Sequence, residues 1–125
     1  MRKSGSIRSS CPPKLLVEIH LREDSRGRLS SFYANGHAGW EDDGRDVVCA
    51  AVSALLQSAW FGLTDVAHVE VTASRTKGSL ELSWPESARD DVAARAIVET
   101  AARSVERIAQ QFPKNVRVTR ARNDG

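Results

Sequence analysis

Apolar and polar positions along the chain fall into five short alternating runs and two longer runs with helical spacing. Leu15, Val17, Ile19 and Leu21 alternate with Leu16, Glu18 and His20, the period of two that marks a strand. Glu23 to Gly27 is polar and turn-forming, and Leu29 to Asn35 resumes as a second strand, so the two predict a hairpin. After a loop over 36–45, Val47, Val48, Ala51, Val52, Leu55 and Ala59 recur at helical spacing. Asp46 stands at the N-cap position of that helix and Gly62 at its expected stop. Ala67, Val69, Val71 and Ala73 predict a third strand. Thr76, Lys77 and Gly78 predict a turn, and Leu80, Leu82 and Trp84 a fourth strand that Pro85 ends. A second helix is expected from Ser87, with Asp90 as its capping partner and Asp91 adding charge to the first turn. It would carry Ile97, Ala101, Val105, Ile108 and Phe112 inward and stop before Pro113. Val116 and Val118 complete a short fifth strand. The order ββαββαβ predicts an α+β protein of two-layer sandwich type, with a mainly antiparallel sheet and two principal helices.

At 125 residues there is room for one domain. Residues 1–13 (MRKSGSIRSSCPP) hold Ser, Gly and Arg and end in two prolines. They predict a flexible arm before a single domain over 14–120, with 121–125 as a flexible tail. The N-terminus has no apolar core of the kind a signal peptide needs. The longest apolar run, Val47 to Phe61, is shorter than the roughly 20 residues of a bilayer span, so no membrane partner is expected. Two cysteines, Cys11 and Cys49, are too few for a disulfide scaffold, and a reducing cytoplasm is the simplest compartment.

Charge changes little. Lys+Arg 18 against Asp+Glu 16 leaves +2, too even a balance for the basic stripe of a nucleic-acid binder. Arg117, Arg120 and Arg122 at one end and Arg2, Lys3 and Arg8 at the other support a weak RNA contact. Few aromatic residues accompany them for base stacking.

One window carries candidate chemistry: Asn35-Gly36-His37-Ala38-Gly39, then a loop, then Asp46-Val47-Val48-Cys49-Ala50-Ala51-Val52-Ser53. With Asp46 as N-cap, Cys49 falls in the first helical turn, where unpaired N–H groups and the positive end of the helix dipole favour a thiolate. A cysteine between Val48 and Ala50 is also a small hydrophobe suited to a core. His37 lies at the end of a strand among small residues, placed either as a base for Cys49 or as a solvated loop histidine. His20 and His68 sit on outward strand faces and read as surface residues. Neither CxxC nor HxxxH occurs, so no metal or other cofactor is expected. A redox sensor built on Cys49 would lack a resolving cysteine inside the fold.

The pattern of Gly36, His37, Ala38, Asp46, Val48, Cys49, Ala50, Ala51, Val52 and Ser53 resembles the ribosomal-processing cysteine protease family, Prp. The element order from about Leu15 to Thr119 is similar as well. The resemblance implies a homodimeric, cytoplasmic α+β enzyme with a Cys/His pair. It implies removal of a short N-terminal extension from a large-subunit ribosomal protein during ribosome assembly. By position, His37 would be the base and Cys49 the nucleophile, with Asp46 and Ser53 in support. Two features depart from the family pattern: the N-terminal arm, and Trp40 directly after Gly36-His37-Ala38-Gly39.

The residues themselves allow the same chemistry: thiolate attack, an acyl-enzyme, and release by water. Asp46 would cap the helix, orient His37, or both. Ser53, four residues after Cys49, shares its helix face. The segment from Gly36 and Ala38 through Gly39, Trp40, Glu41, Asp42, Asp43 and Gly44 is the expected substrate-binding or lid segment. Its glycines would act as hinges, and its carboxylates would favour a basic peptide or simply be solvated. Trp40 would cover an apolar substrate side chain or pack on a partner subunit. The rival reading is a non-catalytic ribosome- or RNA-associated module.

Overall fold

The computed structural model describes residues 16–36, 47–76 and 78–122. β1 (Val17–Glu23) and β2 (Leu29–Asn35) form the expected hairpin, and β2 keeps the boundaries its alternation predicts. α1 (Val47–Phe61) follows. Next come β3 (Thr72–Thr76), β4 (Ser79–Ser83), α2 (Val92–Gln111) and β5 (Val116–Arg122). The five strands make one sheet in the order β3-β4-β2-β1-β5. Three of its pairings are antiparallel, and β1·β5 is parallel. The ββαββαβ order and the mainly antiparallel sheet agree with the sequence.

Alternation in the strands puts Val17, Ile19 and Leu21 of β1 into the core, with Phe32 and Ala34 of β2 and Leu80 and Leu82 of β4 beside them. A register shift at Arg22/Glu23 lets Leu29 turn inward as well, out of phase with Phe32. Trp84 closes this end, its ring edge-on to Phe32 at 5.1 Å and its Nε1–H donating to the Leu29 carbonyl at 2.9 Å. α1 contributes Cys49, Val52, Ser53, Leu56 and Ala59 to the core, and α2 contributes Ala94, Val98, Ala101, Ala102 and Val105. Each large apolar side chain so buried is worth about 1.5–3 kcal/mol, so the two helix stripes fix how the helices lie on the sheet.

Five expectations need correction. α1 does not stop at Gly62 but widens into a π turn over Gly62–Val66. A Cβ at Gly62 would meet Ile97 Cγ2 of α2 at 3.2 Å, so this glycine serves a close helix–helix approach. The left-handed residue that turns the chain is His68, at φ 57°.

The helical run Val47–Val66 therefore reaches twenty residues. By length and composition it is long and apolar enough to cross a membrane. Its Cys49, Val52, Leu56, Ala59 and Leu63 nevertheless lie in the core of this fold.

Ala67, Val69 and Val71 are not strand. The Val69 amide donates to the Leu63 carbonyl, the three side chains pack against the core as a connector, and β3 starts only at Thr72. His68 is accordingly not on a strand face.

α2 begins at Val92, five residues after Ser87. Ser87, the expected start, lies in a 3-10 turn (Glu86–Ala88), and it is Asp91 that caps the helix, accepting the Ala94 amide at 3.0 Å. Asp90 pairs instead with Arg28. Ala101 and Val105 are buried as expected and Ile97 and Ile108 half-buried. Phe112, at φ −129° and ψ 62°, leaves the helical path and is exposed.

Finally, β5 carries Ala121 and Arg122, residues expected in the tail.

Candidate active site

Two segments of the candidate window are described, and they meet the core from different directions. The first is the end of β2. Gly36 has φ +95°, a conformation that L side chains rarely adopt, and a Cβ there would press into the Leu16 carbonyl oxygen. Its amide donates to the Gly78 carbonyl at 2.9 Å. The residue immediately before His37 is thus held by the chain entering β1 on one side and by the β3–β4 turn on the other. Glycine is required at Gly36 by the backbone, whatever part it also plays toward substrate.

The second segment is the start of α1. The described part of α1 begins at Val47, and Cys49 is its third residue. With the helix start that the sequence leads one to expect at Asp46, the N–H groups of the first turn would have no intrahelical acceptor and the dipole would be positive there, which would favour negative charge. Cys49 is also buried, at 4% exposure, while Val47 beside it is 67% exposed. The packing reading of Cys49 therefore describes a real feature of this residue: it lies in the core.

Ser53 lies one turn further on the same buried face, and its Oγ accepts a hydrogen bond from Gln57 Nε2 at 3.1 Å. That bond satisfies the hydroxyl inside the helix.

His37, Ala38, Gly39, Trp40, Glu41, Asp42, Asp43, Gly44 and Asp46 lie outside the described residues. So do the capping role expected of Asp46 and the lid expected of this loop. The sequence reading missed Gly78 and the carbonyl of Leu16, which fix Gly36. No local signal could reveal them, because both contacts join segments distant in the chain.

Polar groups elsewhere are engaged structurally. His20 stacks on Tyr33 with centroids 5.8 Å apart and shares a hydrogen bond with Thr119 Oγ1 at 3.0 Å. Arg120 bonds Glu23 at 2.8 Å and Glu99 at 2.9 Å, and Arg117 lies 3.7 Å from Glu18. At the far end of the sheet, Asp24 receives the Arg28 and Arg89 guanidiniums, each at 3.0 Å. Burial pushes the Asp24 carboxyl up. Hydrogen bonds from the Arg28 and Arg26 amides and from both guanidiniums outweigh that and hold it well below the usual carboxylate range.

Comparison with known proteins covers both segments. The family profile described as "Cysteine protease Prp" matches residues 16–117. A curated relative from Bacillus subtilis, named ribosomal processing cysteine protease Prp, is 27% identical over 108 residues. The match spans 83% of this chain and 96% of the relative. A protein of the same name from Staphylococcus aureus is 24% identical over 106 residues, spanning 82% and 97%. Among solved structures, a Streptococcus mutans protein superposes with a TM-score of 0.77 at 22% identity, over 86% of this chain and 96% of that one. The Staphylococcus aureus protease Prp, solved with a substrate peptide, superposes with a TM-score of 0.74 at 19% identity, over 84% and 99%. At these identities the structural matches speak for the fold.

Proposed function

Since the chain belongs to the cysteine protease Prp family, we propose that it removes a short N-terminal extension from a large-subunit ribosomal protein during ribosome assembly, with Cys49 as nucleophile and His37 as base. The observation that supports this reading is the place of Cys49 near the start of the described part of α1, with Gly36, the residue before His37, held by its bond to the Gly78 carbonyl. The curated relatives are named for ribosomal processing, which supports the substrate class.

In this mechanism the Cys49 thiolate attacks the scissile carbonyl carbon, and the carbonyl π electrons move onto oxygen. N–H groups of the α1 first turn are suited to receive that oxyanion. Collapse of the tetrahedral intermediate breaks the C–N bond, and His37 gives its proton to the leaving amine. Water then attacks the acyl-enzyme, losing a proton to His37, and the C–S bond breaks to return the thiolate and a free carboxylate. Asp46 would cap α1 and orient His37. Ser53 would support the nucleophile's helix face, and the segment from Gly36 and Ala38 to Gly44 would line the peptide. Glu41, Asp42 and Asp43 would favour basic residues, as a ribosomal protein offers. The family likeness also supports a homodimer acting in the cytoplasm.

The RNA-module reading is less well supported, because the Arg120 guanidinium is committed to Glu23 and Glu99 rather than offered to phosphate. The deciding experiment incubates the protein, Cys49→Ala and His37→Ala with the organism's extended ribosomal protein and reads the N-terminus by mass spectrometry. Trimming by the unaltered protein alone is expected. Trimming by Cys49→Ala would overturn the assignment.

A further inference from the structure

We propose that the free edge of β3 is the strand-pairing site for the substrate peptide, with the backbone groups of Ala73 and Arg75 as its docking points. The proposal rests on the protease reading above and adds where the peptide backbone lies.

The hydrogen-bond parity of the sheet singles out those two residues. The Gly78 carbonyl accepts the Gly36 amide, and the Trp84 amide donates to the Ser30 carbonyl at 3.2 Å. Gly78, Leu80, Leu82 and Trp84 therefore direct their backbone groups toward β2, and Ser79, Glu81 and Ser83 direct theirs toward β3. The register pairs these three with Thr76, Ser74 and Thr72. Ala73 and Arg75 alternate with them, so their N–H and C=O groups point away from β4. Among the described residues β3 is the outermost strand in the sheet order, and all five of its residues are exposed.

An unguarded strand edge is a template for another extended chain. This one has few guards. Thr72, Ala73, Ser74 and Thr76 have short side chains, Arg75 is the one charge, and the register with β4 runs without a bulge. Its direction leads to the site. β3 and β2 are both antiparallel to β4, so they run the same way and end at the same end of the sheet. β2 ends there at Gly36, bonded to the β3–β4 turn through Gly78, and the next residue is His37. A peptide paired along β3 is thereby delivered to the end of the sheet from which His37 continues. Backbone pairing also suits an enzyme that must hold its substrate extended for attack on one carbonyl.

Ala73→Pro supplies the test, because it deletes an outward N–H and removes no bond of the β3–β4 ladder. The substrate is a synthetic peptide spanning the extension junction of the ribosomal protein. We expect KM to rise about tenfold, the equivalent of one lost backbone bond with its steric block, while kcat stays within about twofold. The rate of Cys49 alkylation and the melting temperature should stay close to those of the unaltered protein. Ala73→Val keeps the N–H, so its KM should lie well below that of Ala73→Pro. A second arm leaves the protein untouched: peptides carrying a single N-methyl group are compared position by position, and losses at every second position are expected.

Normal KM for Ala73→Pro, or indifference to N-methylation, overturns the proposal. So does a change from dimer to monomer with unaltered KM, which would give the edge to a second copy of the chain. Failure of the unaltered protein to cleave would instead overturn the protease reading itself.

Discussion

The amide of Gly36 donates to the carbonyl of Gly78 across 2.9 Å, tying the end of β2 that leads into His37 to the turn joining β3 and β4. One bond thus connects the base expected of the protease to the sheet edge proposed to hold its substrate. Gly36 can make it only at φ +95°, with no side chain to strike the Leu16 carbonyl.

Gly36→Ala should be costly on both counts. The positive φ and the clash together predict a loss of about 1–3 kcal/mol in stability, read by urea denaturation. Cleavage measured where the variant is still folded should fall further than the folded fraction does, since the Cβ displaces the residue before His37. A variant folded and active like the unaltered protein would mean that the anchor is dispensable.

Cys49 gives the second prediction. A thiol in the first turn of α1 should react with iodoacetamide well below pH ~8, where an ordinary thiol is mostly protonated. Cys11 serves as the internal comparison, and it should react more slowly at pH 6–7. Cys49→Ala should abolish cleavage and cost roughly 1 kcal/mol of stability, because a small buried group replaces another. Labelling of both thiols at one rate would remove the argument for activation.

What the sequence made legible follows the range of the forces involved. The β1–β2 hairpin and the element order are local patterns of burial, and they read correctly; the apolar run of α1 announced a helix but not its buried face, since Val47 is exposed while Cys49, Ser53 and Leu56 turn inward. The errors came where a local pattern served a distant contact. Ala67, Val69 and Val71 alternate like a strand, yet they pack as a connector whose Val69 amide is bonded to Leu63. Gly62 looks like a helix stop, and what it answers to is Ile97 of α2. The Gly36–Gly78 bond and the outward groups of Ala73 and Arg75 depend on sheet order. No window of the sequence contains sheet order.

The start of α2 separates two neighbouring aspartates. Asp91 accepts the Ala94 amide, whereas Asp90 makes an exposed ion pair with Arg28. Asp91→Ala should lower stability by about 1 kcal/mol, the usual worth of an N-cap. Asp90→Ala should change it by less than about 0.5 kcal/mol, because a solvent-exposed pair is screened. Chemical denaturation of the two variants side by side checks the order, and the reverse order would mean that the Asp91 cap contributes less than the Asp90–Arg28 pair.

Asp24 sets the last expectation, on pH. Its carboxyl accepts the Arg26 and Arg28 amides and both the Arg28 and Arg89 guanidiniums, and it joins the β1–β2 turn to the segment before α2. Burial raises its pKa, but these bonds favour the charged form more strongly, so the folded-state value lies below the usual range. In the unfolded chain an aspartate titrates near ~3.9. The ionised carboxylate therefore contributes its full stabilisation above pH ~4. That contribution is lost as pH falls from there through the lower folded value, because the unfolded state takes up the proton first. Asp24→Asn keeps the shape and removes the charge. It should melt below the unaltered protein at pH 7, and the gap should narrow steadily as pH falls below ~4. Thermal melts of both proteins from pH 7 down to pH 2.5 read this directly. A gap that stayed constant over that range would mean that the charge on Asp24 contributes nothing and that its hydrogen-bonding shape alone holds the turn.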